Sequence, residues 1–104
     1  MAGKVYVLAS FKPADGKKDE VEAVLRGMCA PTRNEPGNEI YDLHAKTAGS
    51  DDGDSFHLFE RYVDAAALDA HRETDHYKNY RATIMDLLAE PIHVVVMEGV
   101  DVAG

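Results

Sequence analysis

Two segments near the ends of the chain, Lys4 to Phe11 and Ile92 to Val100, are apolar on both sides of an extended backbone. In the first, Val5, Val7, Ala9 and Phe11 point one way while Tyr6, Leu8 and Ser10 point the other. The second runs through Val94, Val95, Val96 and Met97. A strand that is apolar on both faces needs cover on both sides. This demand fixes the outer frame of the fold, and the segments between the two strands must supply the cover.

Those segments alternate in period. From about Gly16 to Ala30 the apolar residues Val21, Val24, Leu25 and Met28 recur at helical spacing, and Pro31 marks the exit. Arg33 to Asn38 predicts a turn, with Pro36 early and Gly37 supplying positive φ if the turn is type II. Glu39 to Lys46 returns to alternation, with Tyr41, Leu43 and Ala45 on one face. Gly49 to Asp54 suits a hairpin loop; its acid pair, Asp51 and Asp52, lacks the spacing and closing glutamate of a calcium loop. Ser55 to Tyr62 is a third strand that puts Phe56, Leu58, Glu60 and Tyr62 on one side.

Asp64 then caps a short helix to about Arg72, and Thr74 a longer one with Tyr77, Tyr80 or Arg81, Ile84, Leu87 and Leu88 inward, until Pro91. The order is β-α-β-β-α-β with the second helix broken in two, an α+β, ferredoxin-like arrangement with an antiparallel sheet and helices on one face. The other face keeps apolar residues, which depending on register are Tyr6, Leu8, Ile40, Phe59, Val94 and Val96. Such a face predicts an isologous homodimer with sheets packed face to face.

With 104 residues the chain is expected to form a single domain, residues 1–104. A net charge of −8 without a Lys/Arg cluster argues against nucleic acid. The one cysteine, Cys29, excludes an internal disulfide and is expected as a small packed residue. No signal peptide and no membrane-length apolar run is visible, so a cytoplasmic, membrane-free protein is expected.

Chemistry concentrates in Ala67 to Lys78, where two histidines, a tyrosine and a lysine fall at a helix junction. His76, at a helix start, and His71, at a helix end, are candidate bases near neutral pH. Glu60, among Phe56, Leu58 and Tyr62, must be paired or have a raised pKa, which suits acid–base work. Tyr77 and Tyr41 can bond a substrate oxygen, while Lys78, Arg33 and Asn34 can reach an anionic ligand or the pocket mouth. A metal site is not expected: the two histidines lack the usual zinc spacing and no third ligand stands out in the sequence.

The motifs Arg33-x-Glu35-Pro36-Gly37-Asn38, Tyr41-Asp42-Leu43, Phe56-x-Leu58-x-Glu60-x-Tyr62 and Ala67-Leu68-x-Ala70-His71-x-x-Thr74-x-His76-Tyr77 share their order and spacing with a known family. The chain resembles the antibiotic biosynthesis monooxygenase (ABM) family, which includes quinol monooxygenases. The resemblance implies a dimeric α+β barrel and a cofactor-independent oxidation of a quinol or polycyclic phenol by O2. Read from the residues themselves, the catalytic candidates for that reaction are His76 or His71 as the base together with Glu60, and Tyr77, Tyr41, Tyr62, Phe56, Leu58, Lys78, Arg33 and Asn34 are expected around the substrate.

The His-x-x-Thr-x-His-Tyr-Lys run also looks like a family member that isomerises the phosphorylated autoinducer-2 signal. An isomerase or tautomerase of a small, sometimes phosphorylated, carbonyl compound is therefore the alternative activity. A non-catalytic ligand-binding dimer is the third reading. Haem degradation does not fit: the tryptophan of those relatives is missing, and Ser10 and Arg81 stand near their asparagine and histidine positions.

Overall fold

The computed structural model describes residues 3–47 and 53–104, so Asp51, Asp52 and most of the Gly49 to Asp54 loop lie outside the described residues. The elements are β1 (Val5–Phe11), α1 (Lys18–Arg33), β2 (Asn38–Ala45), β3 (Phe56–Tyr62), α2 (Ala65–Arg72), α3 (Asp75–Ile84), a short 3₁₀ turn (Met85–Leu87) and β4 (His93–Glu98). The four strands form one antiparallel sheet in the order β2-β3-β1-β4. This is the expected ferredoxin-like α+β fold.

Register decides which side chains meet. Tyr41, Glu60, Val7 and Val96 form one cross-strand row, and Leu43, Leu58, Ala9 and Val94 the next. Both rows face the helices. Val21, Leu25 and Met28 of α1 and Tyr80 and Ile84 of α3 close over Ala9, Phe11, Phe56 and Leu58 to form the main core. Val7, Tyr62 and Leu68 form a smaller core under α2. Asp64 and Thr74 cap as expected, accepting from the backbone N–H of Ala67 at 2.9 Å and of Tyr77 at 3.2 Å.

Four expectations are corrected. Pro31 does not end α1, which continues to Arg33; in the last turn a proline forfeits one hydrogen bond, so the helix finishes around it. Helix α3 ends at Ile84 and tightens into the 3₁₀ turn well before Pro91. Gly37 is not among the glycines with positive φ. It is small because a Cβ there would overlap that of Ala67, where α2 begins.

The fourth correction concerns the bare face. Leu8 pairs with Phe59 and Val95, and Tyr6 with Arg61 and Met97, so Val95 and Met97 occupy that face and Val94 and Val96 the helix side. Strand β4 lies at the sheet edge beyond the helices, and Val94, Val95 and Val96 are 42%, 38% and 52% exposed. Within one chain β1 is covered on its helix side and at Tyr6 on the other, while Leu8 and the valines of β4 stay open.

Candidate active site

The site grows from the row that holds Tyr41, Glu60 and Val7. Glu60 points under the helices because it alternates with Phe56, Leu58 and Tyr62, and it is 5% exposed. The Tyr62 hydroxyl, two residues along the same face, donates to Glu60 Oε1 at 2.7 Å. Burial pushes the carboxyl up to about 7; the Tyr62 bond and the Arg72 charge oppose this, and Glu35 adds to it. The same burial, with Glu60 nearby, raises the Tyr41 phenol far above its ordinary value.

His71, in the last turn of α2, is 3% exposed. Its Nδ1 lies 2.8 Å from Glu35 Oε2. A carboxylate oxygen only accepts, so this nitrogen carries the hydrogen. Burial lowers the pKa of His71, with Glu35 pulling the other way, and the ring is held neutral near pH 7. Tyr77 meets the imidazole edge-on at 5.1 Å and Tyr62 lies 5.4 Å away. Among the described residues Nε2 has no hydrogen-bond partner.

His76 begins α3 and stands on the far side of Glu35, its Nε2 2.6 Å from the same Oε2. The Glu35 carboxylate therefore ties the α1–β2 turn to the end of α2 and the start of α3.

A cavity of about 360 Å³ opens between the helices and the sheet, with Tyr41, Glu60, His71, Tyr77, Tyr80 and Arg81 on its wall. Arg81 Nη1 donates to the Tyr77 hydroxyl at 3.2 Å, while its buried Nε has no partner. A buried donor without a partner is costly and suits an incoming oxygen. Apolar walls, a held imidazole, a carboxyl titrating near neutrality and a spare guanidinium donor can bind an oxygenated small molecule and move its proton.

Of the residues singled out in the sequence, His71, Glu60, Tyr41 and Tyr77 meet on this wall. Tyr62 sits behind Glu60 and His76 behind Glu35. Phe56 and Leu58 are packed in the core. Lys78 is exposed and pairs with Glu73 at 3.6 Å. Arg33 donates to the Tyr41 carbonyl at 3.1 Å, and Asn34 caps α1 through its backbone. A larger cavity, about 470 Å³, lies between α1 and β2 beside Arg33, Phe56 and Cys29, with neither Glu60 nor His71 on its wall. Size alone does not make it the reactive one. Glu35, Arg72 and Tyr80 are the site residues the sequence did not single out for a role, and the sequence offers Arg81 only as a cation that could join Arg33 and Lys78 around an anion. Arg81 follows Tyr77 by one helical turn, which is the signal that could have found it.

Comparison with known proteins points the same way. A family described as antibiotic biosynthesis monooxygenase matches residues 4–83. The chain is 42% identical over 104 residues to "Putative monooxygenase Rv0793" of Mycobacterium tuberculosis, covering 100% of this chain and 99% of that one. The structure of Rv0793 superimposes with a TM-score of 0.90 at 41% identity, covering 98% and 100%. "Putative monooxygenase YcnE" of Bacillus subtilis is 30% identical over 94 residues, 90% and 96% of the two chains. The crystal structure of PA3566 from Pseudomonas aeruginosa matches at a TM-score of 0.85 and 28% identity, covering 97% and 98%.

Proposed function

The chain belongs to the antibiotic biosynthesis monooxygenase family and is an enzyme of monooxygenase type, and from that premise we propose that it oxidises a quinol or polycyclic phenol directly with O2, using His71 as the base and no cofactor. The observation that carries this reading is the buried His71 ring on the cavity wall, with Nδ1 fixed on Glu35 at 2.8 Å and Nε2 left over. His76 is not the base in this reading, because it is absent from the wall of the cavity that His71 and Glu60 line.

Nε2 of His71 takes the phenolic proton, and the anion forms beside the Tyr77 hydroxyl and the unpartnered Nε of Arg81. The electron-rich anion gives an electron to O2, and the resulting radical pair joins in a C–O bond as a peroxide anion, to which His71 returns its proton to give the hydroperoxide. Glu60, whose pKa is about 7, protonates the outer oxygen as the O–O bond breaks, and its carboxylate takes up the proton lost from the oxygenated carbon. Water leaves and a carbonyl remains. The substrate loses two hydrogens, and O2 supplies one oxygen to carbon and one to water.

Oxygen uptake by metal-stripped protein on a panel of benzo-, naphtho- and anthracene-type hydroquinones tests this. Uptake should exceed autoxidation and collapse in His71→Ala. An uptake unchanged by His71→Ala refutes the assignment. Arg72 and Arg81, both on the cavity wall, favour a second reading, an isomerase that holds an anionic group of a small carbonyl compound. That activity would turn over without O2.

Leu8 and Val95, both exposed on the sheet face away from the helices, support a homodimer packed through that face. Sedimentation should show a dimer, and a monomer at every concentration contradicts this. None of the helices among the described residues is long and apolar enough to cross a membrane. The single cysteine fits a cytoplasmic setting.

A further inference from the structure

One oxygen of the Glu35 carboxylate serves two imidazoles. Oε2 lies 2.8 Å from His71 Nδ1 and 2.6 Å from His76 Nε2, and the three atoms all fall within 4.8 Å of one another. They come from a turn and two helices separated by 36 and 41 residues, so no helical repeat forces the meeting. The side chains of His71, Glu35 and His76 are 3%, 12% and 25% exposed. Among the described residues this is the one group of three or more His, Cys, Asp or Glu side chains drawn so close together.

We propose that Glu35, His71 and His76 form a site for a divalent first-row metal ion, Zn²⁺ foremost, and that this ion and the use of His71 as a base exclude one another. Two imidazoles and one carboxylate are a three-ligand set that leaves a fourth tetrahedral position to water. Mixed nitrogen and oxygen donors suit Zn²⁺ and its neighbours, whereas Ca²⁺ and Mg²⁺ prefer oxygen alone. Bonds of about 2.0–2.2 Å set tetrahedral ligand atoms roughly 3.4 Å apart. The present contacts of 2.8 and 2.6 Å must therefore widen by less than about 1 Å. His76, a quarter exposed in the first turn of α3, has room to move outward.

The His71 imidazole, held neutral by burial, offers the metal a lone pair at the nitrogen that now carries its hydrogen when that hydrogen moves to the other nitrogen. In His71 it moves from Nδ1 to Nε2, the atom that faces the substrate in the proposed reaction. The ring then donates where it would have accepted. This exclusion rests on the assignment of His71 as the base; the site itself does not.

The metal-stripped full-length chain is titrated with Co²⁺, read by its visible absorption, and with Zn²⁺ against a chromophoric chelator. One ion per chain is expected, with the intense bands of tetrahedral Co²⁺. His76→Ala and Glu35→Gln should each weaken binding at least about tenfold, since even outer partners of metal ligands are worth that much. His57→Ala should not, although His57 has His44 as a cross-strand neighbour on the other face. No stoichiometric binding, or binding that survives both substitutions, overturns the site and leaves a hydrogen-bond network only. Long-range ¹H–¹⁵N spectra of Zn²⁺-loaded protein read the His71 hydrogen with no need of turnover. A hydrogen remaining on Nδ1 overturns the exclusion. Zn²⁺ should also stop oxygen uptake in the unmodified chain and lose that effect in His76→Ala. A failure of uptake altogether counts against the proposed reaction and leaves the binding and spectral results to decide the metal site.

Discussion

Replacing Glu60 by Gln should flatten the pH dependence of folding stability. In the folded chain this carboxyl titrates at about 7, against an ordinary value of 4.5, because it is buried. A difference of roughly 2.5 units at about 1.4 kcal/mol each is about 3 kcal/mol. The sign follows from proton counts. Below the ordinary value both folded and unfolded chains are protonated at this position, and the carboxyl costs nothing. Between the two values the unfolded chain gives up the proton and the folded chain keeps it, so stability falls as pH rises, and the loss is complete above the folded value.

Glutamine keeps the shape, accepts the Tyr62 hydroxyl through its carbonyl and never ionises. Urea denaturation of both proteins from about pH 4 to about pH 8 isolates the effect, because the other titrating groups are common to both. The stability difference between the Glu60→Gln variant and the native protein should move by about 3 kcal/mol in favour of the variant across that range. Parallel curves would refute the claim that Glu60 is held protonated by burial.

Three further outcomes are expected. Tyr62→Phe removes the hydroxyl that donates to Glu60 at 2.7 Å, so the Glu60 titration followed by carboxyl ¹³C NMR should move further up. Gly37→Ala should lower stability by about 1–3 kcal/mol in thermal or urea unfolding, because its Cβ overlaps Ala67. Phe59→Asp, on the bare face opposite Leu8, should leave the monomer folded by circular dichroism and shift sedimentation from dimer to monomer.

Local periodicity made the elements legible. Phe56, Leu58, Glu60 and Tyr62 alternate so regularly that the buried face of β3 follows from the sequence, Glu60 included. The caps Asp64 and Thr74 were equally plain, since each acts within three residues of itself. What failed needed information from afar. Val94 and Val96 could not be told from Val95 and Met97 while every one of them is apolar; only pairing with β1 sets which face each takes. Glu35 looks like a turn residue because its partners lie in helices 36 and 41 residues on. Gly37 looked like a residue chosen for its backbone angle, and its actual constraint is the packing of α2 against the turn. Lys78 shares a segment with His71 and His76, yet helical geometry turns it outward to Glu73.

Strand β4 divides its apolar residues between the two faces of the sheet by parity. Val94 is the one exposed residue on the wall of the cavity that holds His71, so the opening lies over the helix side of this edge strand. Val95 and Met97, one step along in each case, look the other way. A second copy docked on their side would leave the doorway beside Val94 clear. Small molecules would then come and go without the subunits parting, and substrate added to saturation should leave the subunit dissociation constant where it was.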